Sequence, residues 1–428
     1  MVPWRRCPVA LAVALGLSPP TAAWSQTVPV PPALALPPPP PTDGAPSGIA
    51  LSDALAQASA RAPDTLVALA RQAQAESEVD VAGMLINPSV RVGVLTNPSR
   101  LQGGVVLTLP LFGQRGAAVR AAEAGVVSAR WDLARARLDV RLATASAWLD
   151  LWLAERQTEI SRDIAARRLR LLTIAQDRLT AGTAPQLDVL RARAEAARAR
   201  ADAAADALAV TGHARRLGAW LGRDPARSGD LRTGGEVPGS VAPPGLEALV
   251  ARLDDHPALA GERARLTEAR RRVELEERLR LPLVGIDVGV DEWGADSQLP
   301  PSLSAGLTVE VPVFHNHGAL IRRAEAALAT QGYTRSAARV RLEADLAAAY
   351  ADYEGAALRA RAEIEEVLPA AHQAADLAVE GYSVGRGDIQ TVIATEQAFT
   401  DARLAAQQAL AARALALVRL ENAVGGSL

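Results

Sequence analysis

The closest pair of histidines in the sequence is in His315-Asn316-His317, whose imidazole nitrogens suit zinc or cobalt. A polar turn between a strand and a helix accounts for the same residues, because a related motif upstream carries Gly113 and Arg115 at the matching positions. The turn is the expected reading, and no metal site is expected. By letters alone the tripeptide spells an HNH nuclease, but there the three residues belong to separate elements. His213, His256 and His372 are scattered, and neither His213 nor His372 has a helical His partner four residues away. There is no HExxH, Walker loop or nucleophile elbow, so neither a catalytic residue nor a bound cofactor is expected. Met84 is the one methionine besides Met1, too few for a Cu(I) relay.

Two other constellations are polar without being catalytic. Asp287, Asp291 and Glu310 share the polar faces of alternating segments, where they serve either as a solvated surface or, inside a barrel, as an anionic lumen that favours cations. The Gly-containing stretches 181–185 and 384–388 interrupt long helical patterns, and Gly182, Gly385 and Gly387 supply the backbone freedom that helix ends need.

The elements that must hold these residues come from an internal repeat. Leu109-Pro110-Leu111-Phe112-Gly113-Gln114-Arg115-Gly116-Ala117 aligns with Val311-Pro312-Val313-Phe314-His315-Asn316-His317-Gly318-Ala319. Ala62-Pro63 and Asn87-Pro88 align with His256-Pro257 and Leu281-Pro282. Ala181-Gly182 followed by Leu187-Asp188-Val189-Leu190 aligns with Val384-Gly385 followed by Ile389-Gln390-Thr391-Val392, with one residue fewer between. Each half then runs helix, two strands, very long helix, Gly turn and helix, with the long helices over 115–179 and 317–382 and Pro369 as the expected distortion. The return helices run to about 221 in the first half and over 388–424 in the second.

Strand alternation is clearest at 283–291 and 303–311, where Val284, Ile286, Val288 and Val290 oppose Gly285, Asp287, Gly289 and Asp291. A weaker pair is expected at 89–95 and 104–109. One oily and one polar face fit a solvated sheet or a membrane barrel equally. Four strands cannot close a barrel, so in a membrane several chains would have to share one.

Composition bounds the rest. The 428 residues are 49% hydrophobic, which excludes disorder through low hydrophobicity, and the 46 basic residues, all Arg, are balanced by 48 acidic ones. A net charge of -2 supplies no basic surplus for a phosphate backbone, so nucleic acid is not an expected partner. Arg5 and Arg6 ahead of the apolar run 9–17, then small residues near Ser25, predict a signal peptide over 1–25. Cys7 precedes that run, so neither a disulfide nor a lipid anchor is expected in the mature chain. Nine of the twenty residues from Thr27 to Pro46 are proline, an extended spacer that completes 26–47. The expected domains are a first repeat over 48–227, a linker over 228–245 and a second repeat over 246–428.

Taken together, the doubled strand-to-helix junctions, Gly381-Tyr382-Ser383-Val384-Gly385 and the order of elements over about 51–426 resemble the outer-membrane efflux proteins of the TolC type. The stretch 276–282, the His315-Asn316-His317 junction and Leu368-Pro369-Ala370 are most similar to the cobalt-zinc-cadmium resistance branch. The resemblance implies a mainly α protein with β: a homotrimer whose twelve-stranded outer-membrane β-barrel continues into a twelve-helix periplasmic α-barrel. It implies a passive exit duct in a Gram-negative outer membrane, in contact with its lipid. A periplasmic adaptor and an inner-membrane pump of the resistance-nodulation-division type would drive transport, with divalent heavy-metal cations as the expected cargo. A duct for drugs or for type I protein secretion shares the fold, and a periplasmic adaptor is the rival from another class, but an adaptor has one hairpin where this chain has two. The family places its gate and adaptor docking at the helix tips, here Gly182, Thr183, Asp188, Gly385, Arg386, Gly387 and Asp388. Arg178, Arg191 or Arg386 are expected to pair with Asp188. The final helix departs from the family's usual Leu-Asp-Ala-Gln-like start, having Ile393-Ala394-Thr395-Glu396.

Overall fold

The computed structural model describes residues 48–428 apart from 97–98, 236, 238–241, 294–301, 313 and 315, and does not extend to the side chains of 94–96, 99–101 and 291–293. The expected signal peptide, the spacer, His315 and the side chain of Asp291 therefore lie outside the described residues. The first half contains α1 (Leu51–Arg61), α2 (Pro63–Gly83), β1 (Ser89–Thr96), β2 (Ser99–Leu109), α3 (Gln114–Thr180) and α4 (Gln186–Trp220). The second contains α5 (Leu246–Ala251), α6 (Pro257–Leu279), β3 (Leu283–Trp293), β4 (Ser302–Glu310), α7 (Gly318–Ala362), α8 (Leu368–Ser383) and α9 (Ile389–Val424).

Residues before proline are pushed into extended backbone, which is why Ala62 and His256 end one helix turn and open α2 and α6 with Pro63 and Pro257. With 67 residues and no proline, α3 runs about 100 Å at 1.5 Å per residue. Its partner in the second half is not a plain helix. Pro369 has no N–H for the carbonyl four residues earlier, and a π-helical turn at Glu363–Val367 absorbs the fault between α7 and α8. Buried alanines such as Ala145, Ala192, Ala196 and Ala414 let the helices approach closely. Trp148, fully buried in the middle of α3, donates its Nε1–H to the Ile49 carbonyl at 2.7 Å and anchors the start of the folded body. Among the described residues no helix is long and apolar enough to cross a membrane.

The four strands form one antiparallel sheet in the order β1-β2-β3-β4, and β2–β3 pairing, for example Leu109 with Val284, joins the two halves. Val90, Val105, Val288 and Ala305 form one row across all four strands, and Leu107, Ile286 and Leu307 another. This oily face is uncovered: Val90 is 74% exposed and Leu307 75%. Among the described residues β1 and β4 are edges without a partner. On the opposite face Gly104 lies between Arg91 and Gly289, and Val106 pairs with Asp287. β2 begins at Ser99, five residues before the expected start, because Gly103-Gly104 breaks the apolar alternation without breaking the ladder.

Two registers of the repeat differ from the sequence alignment. The tip helices start after Pro185 and Asp388, as far apart as Gly182 and Gly385, so the spacing is the same in both halves. At the sheet end, Gly113 and His317 cap α3 and α7, so His317 corresponds to Gly113 and not to Arg115.

Candidate functional site at the helix tips

Both hairpins turn in the same way. Gly182 (φ 72) and Gly385 (φ 81) take left-handed backbone, Thr183 N–H donates to the Arg178 carbonyl at 2.8 Å, and Arg386 N–H to the Gly381 carbonyl at 2.9 Å. These six-to-one bonds satisfy carbonyls that helix ends otherwise leave unpaired. Gly387 passes close over Tyr382, and a Cβ there would meet the Tyr382 nitrogen at 3.3 Å. Asp388 is the N-cap of α9: it accepts from Thr391 N–H at 2.8 Å and from its hydroxyl at 3.1 Å, and these bonds hold its carboxyl below the ordinary value. The α4 start has Pro185 in that place, without a side-chain cap.

The turns are held together through Tyr382 and Arg178, neither of which the sequence marked as the link. Tyr382 is buried among Leu171, Ala175, Val189, Ile389 and Val392. Its hydroxyl donates to Asp188 Oδ2 at 3.3 Å, tying the end of α8 to the start of α4. Burial pushes the phenol pKa up and the Asp188 charge adds to the rise, so the hydroxyl keeps its proton. Arg178 reaches from α3 to the Tyr382 carbonyl at 2.9 Å and the Thr183 carbonyl at 3.0 Å, with its guanidinium 4.4 Å from the Tyr382 ring centre. Among the described residues Asp188 makes no ion pair with Arg178, Arg191 or Arg386. Arg191 faces the Gln390 side chain, and Arg386 carries no ion pair among the described residues. A tyrosine beside a Gly turn, in a chain with only 3% aromatics, was the available signal.

Above the tip, Arg167 lies 3.5 Å from buried Glu396 and 3.5 Å from Asp163, and Arg403 hydrogen-bonds Asp163 at 2.5 Å. Burial raises the Asp163 pKa, but the Arg403 hydrogen bond and the charges of Arg403 and Arg167 outweigh it and leave it lowered. Both guanidiniums sit over the Phe399 ring. This network fastens α9 to α3, and its Arg167 and Glu396 line a cavity of about 300 Å³ together with Leu171, Ile174 and Val392.

On the sheet, Asp287 is 3.4 Å from Arg91, which offsets the negative charge expected on that face. Asp291 pairs with Ser302 in the backbone ladder, and Glu310 pairs with Leu283 at the exposed end of β4. The sheet thus aligns Asp287, Asp291 and Glu310 on two neighbouring strands, but the structure does not bring them into one cluster. Among the described residues no three or more His, Cys, Asp or Glu side chains converge as a metal site.

Comparison with known proteins accords with this architecture. The model of the outer membrane efflux protein family matches residues 54–223 and again 249–426. The cobalt-zinc-cadmium resistance protein CzcC of Cupriavidus metallidurans is 26% identical over 340 residues, 77% of this chain and 78% of that protein. Protein CyaE of Bordetella pertussis is 29% identical over 354 residues, 72% of this chain and 71% of that one. The crystal structure of the outer membrane protein VceC from Vibrio cholerae superposes with a TM-score of 0.73 at 19% identity, covering 88% of this chain and 96% of that one. With two family matches in tandem over one strand-and-hairpin plan, the chain belongs to the outer membrane efflux protein family and is an outer-membrane efflux channel.

Proposed function

We propose that three copies of this chain form a passive exit duct for divalent heavy-metal cations, with a long periplasmic extension driven by an inner-membrane pump through a periplasmic adaptor. The observation that carries the reading is the open four-stranded sheet with its uncovered oily face and two unpaired edges. Such edges are not tolerated in lipid, and three chains would supply twelve strands for closure. α3 in one half, and α7 with α8 in the other, then continue the wall by about 100 Å. The two repeats, 48–227 and 246–428, contribute alike. Asp287, Asp291 and Glu310 face the lumen, with Arg91 tempering its charge. Gly182, Thr183, Asp188, Gly385, Arg386, Gly387 and Asp388 form the gate and meet the adaptor. The duct itself performs no catalysis.

The metal cargo rests on the likeness to CzcC, because fold alone does not reveal cargo. Deleting the gene and comparing growth on zinc, cobalt, cadmium, copper and a drug panel tests it. Sensitivity to divalent cations is expected. Unchanged metal tolerance with drug sensitivity in its place would refute the cargo.

A further inference from the structure

His317 is the one non-glycine residue with left-handed backbone among the described residues, at φ 55. The equivalent cap in the first half is Gly113 at φ 84, where the same backbone carries no side-chain penalty. A strained residue persists where its side chain has a use. Helix capping is not that use, because His317 makes no side-chain cap bond and Asn316 Oδ1 already accepts from Gly318 N–H at 3.1 Å. The imidazole instead turns its Nδ1 to Glu276 Oε2 on α6 at 3.3 Å, with the side chains only 18% and 19% exposed.

As it stands the pair is a hydrogen bond, and the same separation also suits a shared ion. Two donors on a tetrahedral ion with bonds of about 2.0 Å stand about 3.3 Å apart, the edge of the tetrahedron. An octahedral ion with bonds of about 2.1 Å would draw them to about 3.0 Å.

We propose that Glu276 Oε2 and His317 Nδ1 form a two-donor contact for zinc-class divalent cations at the joint between sheet and helices, with water completing the ion's shell. Imidazole and carboxylate together suit zinc and cobalt over calcium. Two protein donors bind weakly enough to release, as a conduit requires. The binding stands on geometry alone, while its use in transport rests on the metal cargo proposed above. Sequence alignment hid the site by placing His317 opposite Arg115 when the helix caps place it opposite Gly113.

The test uses tag-free full-length protein in detergent, titrated with Zn²⁺ by calorimetry and with Co²⁺ by visible absorption. One ion per chain and the intense bands of tetrahedral cobalt are expected. His317→Gly and Glu276→Gln should each weaken binding at least about tenfold. His317→Gly should unfold at the same temperature as wild type or higher, because it relieves the strained backbone. Absence of binding in wild type, binding unchanged in both variants, or the weak spectrum of octahedral cobalt would overturn the proposal. Gene deletion that leaves metal tolerance intact while the purified protein still binds zinc at this pair defeats the cargo and not the site.

Discussion

Replacing Arg178 by Ala together with Tyr382 by Phe should loosen the tip without unfolding the chain. Arg178 crosses between hairpins through its 2.9 Å bond to the Tyr382 carbonyl and its position 4.4 Å from the ring. A hydrogen bond from a charged donor is worth about 1.5–3 kcal/mol, less where half exposed as here, and the ring contact about 0.5–1. About 2 kcal/mol is therefore the cross-hairpin share. Tyr382→Phe removes the 3.3 Å bond to Asp188, about 1 kcal/mol more. Because both groups meet at Tyr382, the sum of about 3 kcal/mol is an upper value for the pair. If these links hold the closed arrangement, losing them raises the open population by up to about 100-fold. Single-channel recording in planar bilayers should show a large rise in open probability, with assembly retained. Open probability and conductance equal to wild type in the double variant would refute the assignment of closure to these links.

Other perturbations separate the faces and ends of the molecule. Asp188→Ala should resemble Tyr382→Phe in bilayer recordings, whereas Arg386→Ala should leave thermal stability unchanged because that guanidinium carries no ion pair among the described residues. Arg in place of Leu307, on the uncovered oily face, should cost about 2–4 kcal/mol if that face meets lipid and should block membrane assembly, while Ser304→Arg on the opposite face should assemble, as heat-modifiability on gels would report. His256 accepts from Ala258 N–H at Nδ1 and lies 3.1 Å from the Asn422 carbonyl through Nε2. Burial, the largest influence, depresses its pKa below the ordinary 6.5, outweighing the Asn422 hydrogen bond. Its stabilisation is therefore present above 6.5 and lost as pH falls from there through the folded value, since the unfolded chain takes up the proton first. The melting temperature should fall as pH drops below 6.5, and His256→Asn, which keeps a capping side chain, should flatten that part of the curve.

What the sequence disclosed and what it hid divide along a physical line. Periodicity is local, so the oily rows of β3 and β4, the proline-free run of α3 and the fault at Pro369 are legible in the sequence. The Ala62-Pro63 and His256-Pro257 pairs are legible as matching repeat positions, and the fold makes each of them a helix start. Side-chain partners far apart in the chain leave no such pattern. Arg178 and Tyr382 are separated by 204 residues, and charge alone suggested an arginine for Asp188 where the fold supplies a phenol. Arg91 was invisible as the partner of Asp287 because a whole strand lies between them in the sheet. The turn registers failed where the alignment followed residue likeness. Leu187 resembles Ile389 as an apolar residue, but the helix caps, not the apolar residues, fix the correspondence.

The central claim, that several copies of this chain share one membrane barrel because four strands cannot close, is tested most directly by native mass spectrometry of protein extracted from outer membranes in detergent. Three chains per particle are predicted, with the mature protein insoluble once detergent is removed. A monomer that stays in solution without detergent would contradict the account, because its uncovered oily face and both sheet edges would then be facing water.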